Sequence, residues 1–270
     1  MASNIQSSPE YQTLLQDLSN SNVTAAAQTL AAPATTTWNN GGSESDVEND
    51  LWNAWNAVIA LAQNTDDDAQ QNGLVAALQA FQQLGQLTRD DGTVCQVWNA
   101  TVWTDLPVFG GAMREQWNPP SDPSQAASWT NLNAFAARST ASEYKPNTPF
   151  DFALYAIWTN RDALESTAAA SKDYASIPAS ALQAAAQWFI YCSPTLLRES
   201  TLNGGRSFDG KTGIAGAGYS GKDWTGLTTD RWILWKENMQ AIIASGQQQA
   251  ENDLLQKAVS SMEFAEQQSG

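Results

Sequence analysis

Apolar residues recur at the spacing of helix turns along most of this 270-residue chain, and this periodicity limits the fold most strongly. Residues three or four apart form one face of an α-helix, whereas a half-buried strand alternates at every second residue. The helical stripe is clear in three early segments: Tyr11, Leu14, Leu15 and Leu18; Leu51, Trp55, Val58, Ile59 and Ala62; and Leu74, Ala77, Leu78, Phe81 and Leu84. Strand-like alternation is nearly absent, so the pattern predicts an all-α fold.

The second half of the chain continues this pattern. Helices are predicted at about 125–140, 149–170, 178–200, 229–246 and 249–267. Long irregular loops are predicted at 31–44, at 86–123 with one short helix, and at 203–226. The last loop is Gly-rich, and loops of that length often form lids or the walls of sites. We therefore predict a single globular helical domain over residues 1–270, with eight or nine helices and flexible tails at 1–8 and 266–270.

Three local sequences predict where helices begin. Ser45-Asp-Val-Glu48 has the spacing of a capping box. The acidic run Asp66-Asp67-Asp68 suits the positive end of a helix dipole. Thr148-Pro149 supplies an N-cap residue followed by proline at the first helical position, with Asp151 in the first turn.

The charged residues exclude several classes of function. With 28 acidic and 13 basic side chains and no histidine, the chain has a formal net charge of -15. A chain without histidine has no Ser-His-Asp or Cys-His catalysis and no His-ligated metal. The negative charge repels phosphate backbones, so no nucleic acid partner is expected. Arg89 is the first basic residue, and a solvated acidic face explains this best; calcium or a basic partner remains the alternative.

Targeting and redox features favour a cytoplasmic protein that does not enter a membrane. The first residues have neither a basic segment nor an apolar core of the kind found in secretory signals. The longest apolar runs, such as Ala57 to Ala62, are too short to span a bilayer. Cys95 and Cys192 are distant in sequence and form no CxxC motif, which fits a reducing compartment.

Two ligand motifs are present only in fragments. Gly216 to Asp223 resembles a phosphate-binding loop, but Asp223 stands where Ser or Thr must hold magnesium, and no strand precedes it. Asp66-Asp67-Asp68 resembles the aspartate-rich motif of class I terpene cyclases, but Gln70 and Gln71 occupy the positions of the required acid. We therefore predict neither a bound metal nor a cofactor.

Aromatic and arginine side chains cluster in a few strings, and each admits two interpretations. The 12 tryptophans can form a large aromatic core, or some can line a concave apolar pocket. Arginines that stand in or beside these strings are Arg114, Arg138, Arg161 and Arg231. They can form structural ion pairs, or they can face a pocket and orient a ligand. Acidic candidates for such pairs are Glu115, Asp151, Asp162, Glu165 and Glu237.

The same strings carry a family resemblance. They are Leu51-Trp-Asn-Ala-Trp55, Arg114-Glu-Gln-Trp-Asn118, Trp129-Thr-Asn-Leu-Asn-Ala-Phe-Ala-Ala-Arg138, Asp151-Phe-Ala-Leu-Tyr-Ala-Ile-Trp158, Ala184-Ala-Ala-Gln-Trp-Phe-Ile-Tyr191 and Arg231-Trp-Ile-Leu-Trp-Lys236. Over roughly residues 10 to 265, the chain resembles a fungal family catalogued as the domain of unknown function numbered three-six-three-two. The resemblance implies a helical, intracellular, fungal protein, and it implies no catalytic residues.

We hypothesise that the chain binds a small apolar molecule, and that it is a cofactor-free cyclase or isomerase of fungal secondary metabolism, such as a Diels-Alder catalyst. Ring closure without proton transfer needs a folded ligand and a few hydrogen-bond donors. The predicted catalytic residues are the donors Arg161, Tyr155 and Tyr191, with Asp151 as a base if it is buried. The predicted ligand contacts are Trp158, Trp188, Trp235, Arg138 and Arg231. The rival hypothesis is a non-enzymatic adaptor whose acidic face meets a basic partner.

Overall fold

Eleven α-helices make up most of residues 5–142 and 145–269, which are the residues that the computed structural model describes. The predicted all-α class is confirmed, and the four strands are only two residues long each. Contacts between residues group the chain into two compact units. Unit 1 comprises residues 1–120 and 147–149, and unit 2 comprises 121–146 and 150–270. That both units belong to one domain stays a prediction.

The described residues of unit 1 form five α-helices and one hairpin. The helices are α1 (Pro9–Ser19), α2 (Val23–Asn39), α3 (Glu44–Asn64), α4 (Asp68–Gln83) and α5 (Phe109–Gln116). The hairpin pairs β1 (Gln96–Val97) with β2 (Ala100–Thr101) in antiparallel register. The predicted stripes of α3 and α4 are buried, apart from Leu84, which is exposed beyond the end of α4. The indole of Trp55 also donates to the Pro107 carbonyl at 2.8 Å, which fixes the loop before α5 on the buried face of α3.

Unit 2 is built around one long helix. Its helices are α6 (Ala126–Ser142), α7 (Ala153–Leu164), α8 (Thr167–Ser171), α9 (Ala179–Thr201), α10 (Thr229–Ser245) and α11 (Asn252–Ser269). Helix α9 packs against α6, α7, α10 and α11. It buries Trp188 and Phe189, and the Phe189 ring makes edge contacts with Trp232 and Trp235 of α10. The predicted Gly-rich loop at 203–226 contains only short pieces of regular structure. Strand β3 (Arg206–Ser207) pairs with β4 (Gly226–Leu227), and 3₁₀ turns lie at Leu202–Gly204 and Ala217–Tyr219.

The predicted loop at 31–44 is wrong, because α2 continues through residue 39 with Pro33 in its interior. Proline removes one intrahelical hydrogen bond and usually ends a helix. Here Ala31, Ala34 and Trp38 are all buried on one face of the helix, so packing outweighs the loss of that bond. Helix α2 and the short α8 account for the difference between the predicted eight or nine helices and those observed.

Two predicted helix starts and the predicted tails also need correction. The capping box of α3 is formed by Ser43 and Asp46, two residues before the predicted one. Helix α7 begins at Ala153, so Thr148 does not cap it. Residues 266–269 continue α11, and the Glu266 carboxylate accepts from the ammonium of Lys236 at 2.6 Å. Residues 5–8 form one helical turn and the N-cap of α1, and the rest of both predicted tails lies outside the described residues.

In the part of the chain that the structure describes, no helix combines the length and the apolar composition needed to cross a bilayer.

The α3 cap supplies a first test. Ser43 Oγ accepts from the Asp46 backbone N–H at 3.2 Å, and the Asp46 carboxylate accepts from the Ser43 backbone N–H at 2.9 Å. We expect Ser43→Ala to lower the free energy of unfolding by about 1 kcal/mol, the usual cost of losing an N-cap side chain. Urea denaturation measures it. Ser45→Ala is the matched control, because Ser45 is exposed and caps nothing; equal midpoints for the two variants would contradict the assignment.

Candidate functional site

The most extensively bonded side chain among the predicted site residues is Arg231, which is fully buried near the start of α10. Its Nε donates to Glu165 Oε1 at 2.6 Å and its Nη2 to Glu165 Oε2 at 2.9 Å. The other donors reach backbone carbonyls: Nη1 donates to Gly213 and Gly226 at 2.6 and 2.7 Å, and Nη2 to Ile214 at 2.8 Å. A guanidinium has five N–H donors, so none remains for a ligand. Arg231 therefore has a structural role, and it has no N–H left for the ligand contact that the sequence predicted.

Glu165 is the matching acceptor, and it follows directly after α7. Besides Arg231, its Oε1 accepts from the Trp235 indole at 2.7 Å and its Oε2 from the Gly216 backbone N–H at 2.7 Å. A Cβ at Gly216 would lie 2.6 Å from both the Cβ and the backbone oxygen of Glu165. The glycines of the 203–226 loop thus let its backbone approach a buried ion pair. Trp235 is fully buried in this cluster, so its predicted ligand surface is covered by protein.

Trp188 is likewise part of a buried polar network. Its indole donates to Asn133 Oδ1 at 2.8 Å, and Thr159 Oγ1 donates to the same oxygen at 2.8 Å. All three residues are buried, and they belong to α9, α6 and α7 respectively. The network therefore joins three helices of unit 2, and the predicted pocket wall at Trp188 is instead interior packing.

Helix α7 does bring three predicted residues together. Tyr155 and Trp158 have ring centroids 5.0 Å apart, and Tyr155 also stacks on Phe152. The Trp158 indole and Arg161 Nη1 both donate to the Thr212 carbonyl, at 3.0 and 3.2 Å. These side chains are half-buried, and part of the Gly-rich loop lies against them. They form an aromatic stripe along α7.

The remaining predicted residues form two separate pairs. Arg206 holds the Asp151 carboxylate through two bonds of 2.9 and 2.6 Å, so a residue that was predicted as a base is part of an ion pair. The Arg138 guanidinium lies 3.5 Å from the centre of the Tyr191 ring, in a cation–π contact between α6 and α9. The predicted residues thus fall into separate groups in unit 2.

Unit 1 contains a groove that the sequence did not predict, with a volume of about 450 Å³. One wall is a face of α2, formed by Gln28, Ala31, Ala32, Thr35, Thr36 and Asn39. The opposite wall is formed by Leu84, Gln86, Leu87, Thr88 and Trp103. None of these side chains is charged. The helical spacing of the first wall was the available signal, and it was missed because the sequence prediction placed a loop there.

Metal-ligating and thiol side chains are the remaining candidates for chemistry. In residues 5–142 and 145–269, no group of three acidic or cysteine side chains is arranged to hold a metal ion. Both cysteines are free and buried. Burial raises the pKa of the Cys95 thiol to about 11, with Glu44 adding to the effect, and raises the pKa of Cys192 to about 12.

The fold and these groups define an all-α protein with a buried ion-pair cluster in one unit and an uncharged groove in the other. The sequence pattern of a family described as Protein of unknown function (DUF3632) matches residues 55–239, and the chain belongs to this family. Neither the search of curated proteins nor the search of solved structures found a match.

Because the ion pair between Arg231 and Glu165 is buried, removing one of its two charges should strongly lower the stability of the protein. In Glu165→Gln, the Arg231 guanidinium would remain buried without its countercharge, and removing one partner of such a pair costs about 3–5 kcal/mol. We expect a loss of that size in the free energy of unfolding, measured by urea denaturation. Glu237→Gln, on the exposed side of α10, removes the same charge and should change stability little. If the two variants were equally stable, the structural role of Arg231 would be refuted.

The thiol pKa values predict chemical inertness. The thiolate is the reactive form, and at about pH 8 roughly one Cys95 thiol in a thousand, and fewer Cys192 thiols, would be ionised. We expect intact-mass measurement to show no iodoacetamide adduct on the folded protein and two adducts in concentrated urea. Rapid labelling of the folded protein would show that at least one thiol is accessible.

Proposed function

We propose that the protein binds a small, uncharged, largely apolar organic molecule in the groove of unit 1. The observation that carries this proposal is the contrast between the groove and the rest of the unit. Unit 1 has 13 acidic and two basic side chains, yet the groove lining contains none of them. A concave surface that is free of charge in such a unit favours a neutral ligand, because a charged ligand would find no countercharge there.

The groove has the size and chemistry that ligand sites usually have. Its volume of about 450 Å³ falls within the usual range for small-molecule pockets. Trp103, Leu84 and Leu87 supply apolar surface, and Gln28 and Asn39 supply amide groups that can both donate and accept hydrogen bonds. A fused-ring or polyene skeleton with a few oxygen atoms matches this lining.

The enzymatic form of the proposal is a cofactor-free ring closure or isomerisation in fungal secondary metabolism, in the cytoplasm. Residue chemistry supports it, because amide and hydroxyl donors can orient a folded ligand and stabilise developing charge. The two free cysteines support a reducing compartment. The donors named from sequence, Arg161, Tyr155 and Tyr191, lie in unit 2, so the ring-closing role would pass to Gln28, Asn39 and Gln86.

A fluorescent probe and two variants of the protein test whether the groove binds a neutral molecule. N-phenyl-1-naphthylamine, a neutral fluorescent probe, should bind the native protein saturably, and Ala32→Trp should weaken it about tenfold or more by filling the groove. Ala32 is an exposed helical residue, so the variant should fold. Thr29→Trp is the control, because Thr29 is exposed on α2 outside the groove. Equal affinity of all three proteins would contradict the proposed site.

The natural ligand can be sought with the same variants. The protein is incubated with a fungal extract, and co-purifying small molecules are identified by mass spectrometry. A neutral compound retained by the native protein and lost from Ala32→Trp would support binding in the groove. Conversion of that compound into an isomer of unchanged mass would support the cyclase, and recovery of an unchanged compound would limit the function to binding.

A further inference from the structure

The most exposed aromatic residue of unit 1 is Trp98, at the tip of the β1–β2 hairpin, with 57% of its surface accessible. Trp98 and Asn99 both have left-handed backbone angles, with φ of 55° and 60°. A two-residue hairpin loop of this kind favours Asn or Asp followed by Gly. Tryptophan gives no advantage to the turn itself, so its presence here points to the contacts of its indole.

The Trp98 indole lies beside a second indole. Its ring centroid is 6.2 Å from that of Trp52 on α3, and the two planes meet at 70°. Gly111 of α5 lies next to both rings, and a Cβ at this position would come within 3.1 Å of Trp98 and 3.7 Å of Trp52. The two indoles thus form an open corner, with Gly111 at its base and the Trp98 ring exposed to solvent. We call this the Trp52–Trp98 corner.

A carboxylate is fixed in the same corner. Glu48 Oε1 accepts from the Trp98 indole N–H at 3.1 Å and from the Trp52 indole N–H at 3.4 Å. Within the described residues, Glu48 Oε2 accepts no hydrogen bond. The faces of indole rings carry negative potential and attract cations, and this attraction is strongest when a ring belongs to tryptophan. Two indoles and a carboxylate therefore lie together at this corner, and both kinds of group attract a cation.

The surrounding charge favours a cation that belongs to a polypeptide. Unit 1 carries 13 acidic side chains against Arg89 and Arg114. The Arg89 guanidinium is already engaged, since it lies 3.6 Å from the Trp38 ring centre and donates to the Trp38 and Gly42 carbonyls. Glu44 and Asp46, both exposed, precede Glu48 on α3. A field of one sign over a surface steers a partner of the opposite charge and speeds their encounter.

We propose that the Trp52–Trp98 corner binds a lysine or arginine side chain of a basic polypeptide partner. The cationic group lies against the exposed Trp98 face and donates to Glu48 Oε2, while the other acidic residues of unit 1 attract the rest of the partner. This interaction surface goes beyond the proposed ligand groove and does not depend on it, because none of its three side chains lines the groove.

A labelled hexa-arginine peptide tests the proposal by fluorescence anisotropy on the full chain. Binding should weaken as salt rises, and a hexa-citrulline peptide, which has the same shape without charge, should not bind. Trp98→Asn should weaken hexa-arginine binding about 3- to 30-fold, the range expected from the loss of a cation–π contact. Asparagine suits the left-handed turn, which offsets part of the loss of the Trp52 and Glu48 contacts, and a cooperative thermal unfolding transition would show that weaker binding is not caused by misfolding.

Two variants that each remove one negative charge distinguish binding at the Trp52–Trp98 corner from general electrostatic attraction. Glu48→Gln should weaken hexa-arginine binding more than Asp66→Asn does, although both remove one negative charge. Asp66 is exposed just beyond the far end of α3, about 25 Å away from the helix rise alone. If Trp98→Asn left the affinity unchanged, or if Glu48→Gln and Asp66→Asn weakened it equally, binding would be diffuse and the corner would be refuted.

Discussion

Unit 2 depends on the buried ion pair between Arg231 and Glu165. Removing two charges from water is expensive, and the attraction between them repays this cost only when every remaining donor and acceptor is also satisfied. Here all the guanidinium donors and both carboxylate oxygens have partners. Three of those partners are carbonyls at 213, 214 and 226, so the pair fixes a loop that has almost no secondary structure of its own.

This pair changes the interpretation of the tryptophan- and arginine-rich strings. Such strings suggested a ligand pocket because indoles and guanidinium groups suit ligands. The same groups also satisfy one another inside a protein, and the Trp235 indole and the Arg231 guanidinium both bond to Glu165. A donor engaged in that way cannot also polarise a ligand. In unit 2, the tryptophan and arginine side chains of these strings therefore join helices to one another and to a loop.

The local sequence pattern predicted most of the helices correctly. For the charged residues, it predicted only which residues could be partners and not which pairs would form. The stripes of α3 and α4 were correct because burial alone sets their period, whereas α2 was missed because Pro33 outweighed the alanines around it in the sequence. Glu165 and Asp151 were named as candidate partners for arginines. Which arginine each would meet was not predictable, since Arg231 and Arg206 lie 66 and 55 residues away in the chain. The groove depends on long-range packing in the same way.

Residues 86–123, where the sequence predicted a loop with one short helix, contribute side chains to both proposed sites. Of the nine non-glycine residues with positive φ in the described ranges, five fall between 98 and 108, including Trp98 and Trp103. Such conformations cost about 1–3 kcal/mol each and persist where surrounding contacts impose them. Trp103 is held against Phe81 and lines the groove, whereas Trp98 is exposed at the hairpin tip. Packing accounts for Trp103, whereas Trp98 is held by its contact with Trp52 and its hydrogen bond to Glu48, and more than half of its surface stays open to a partner.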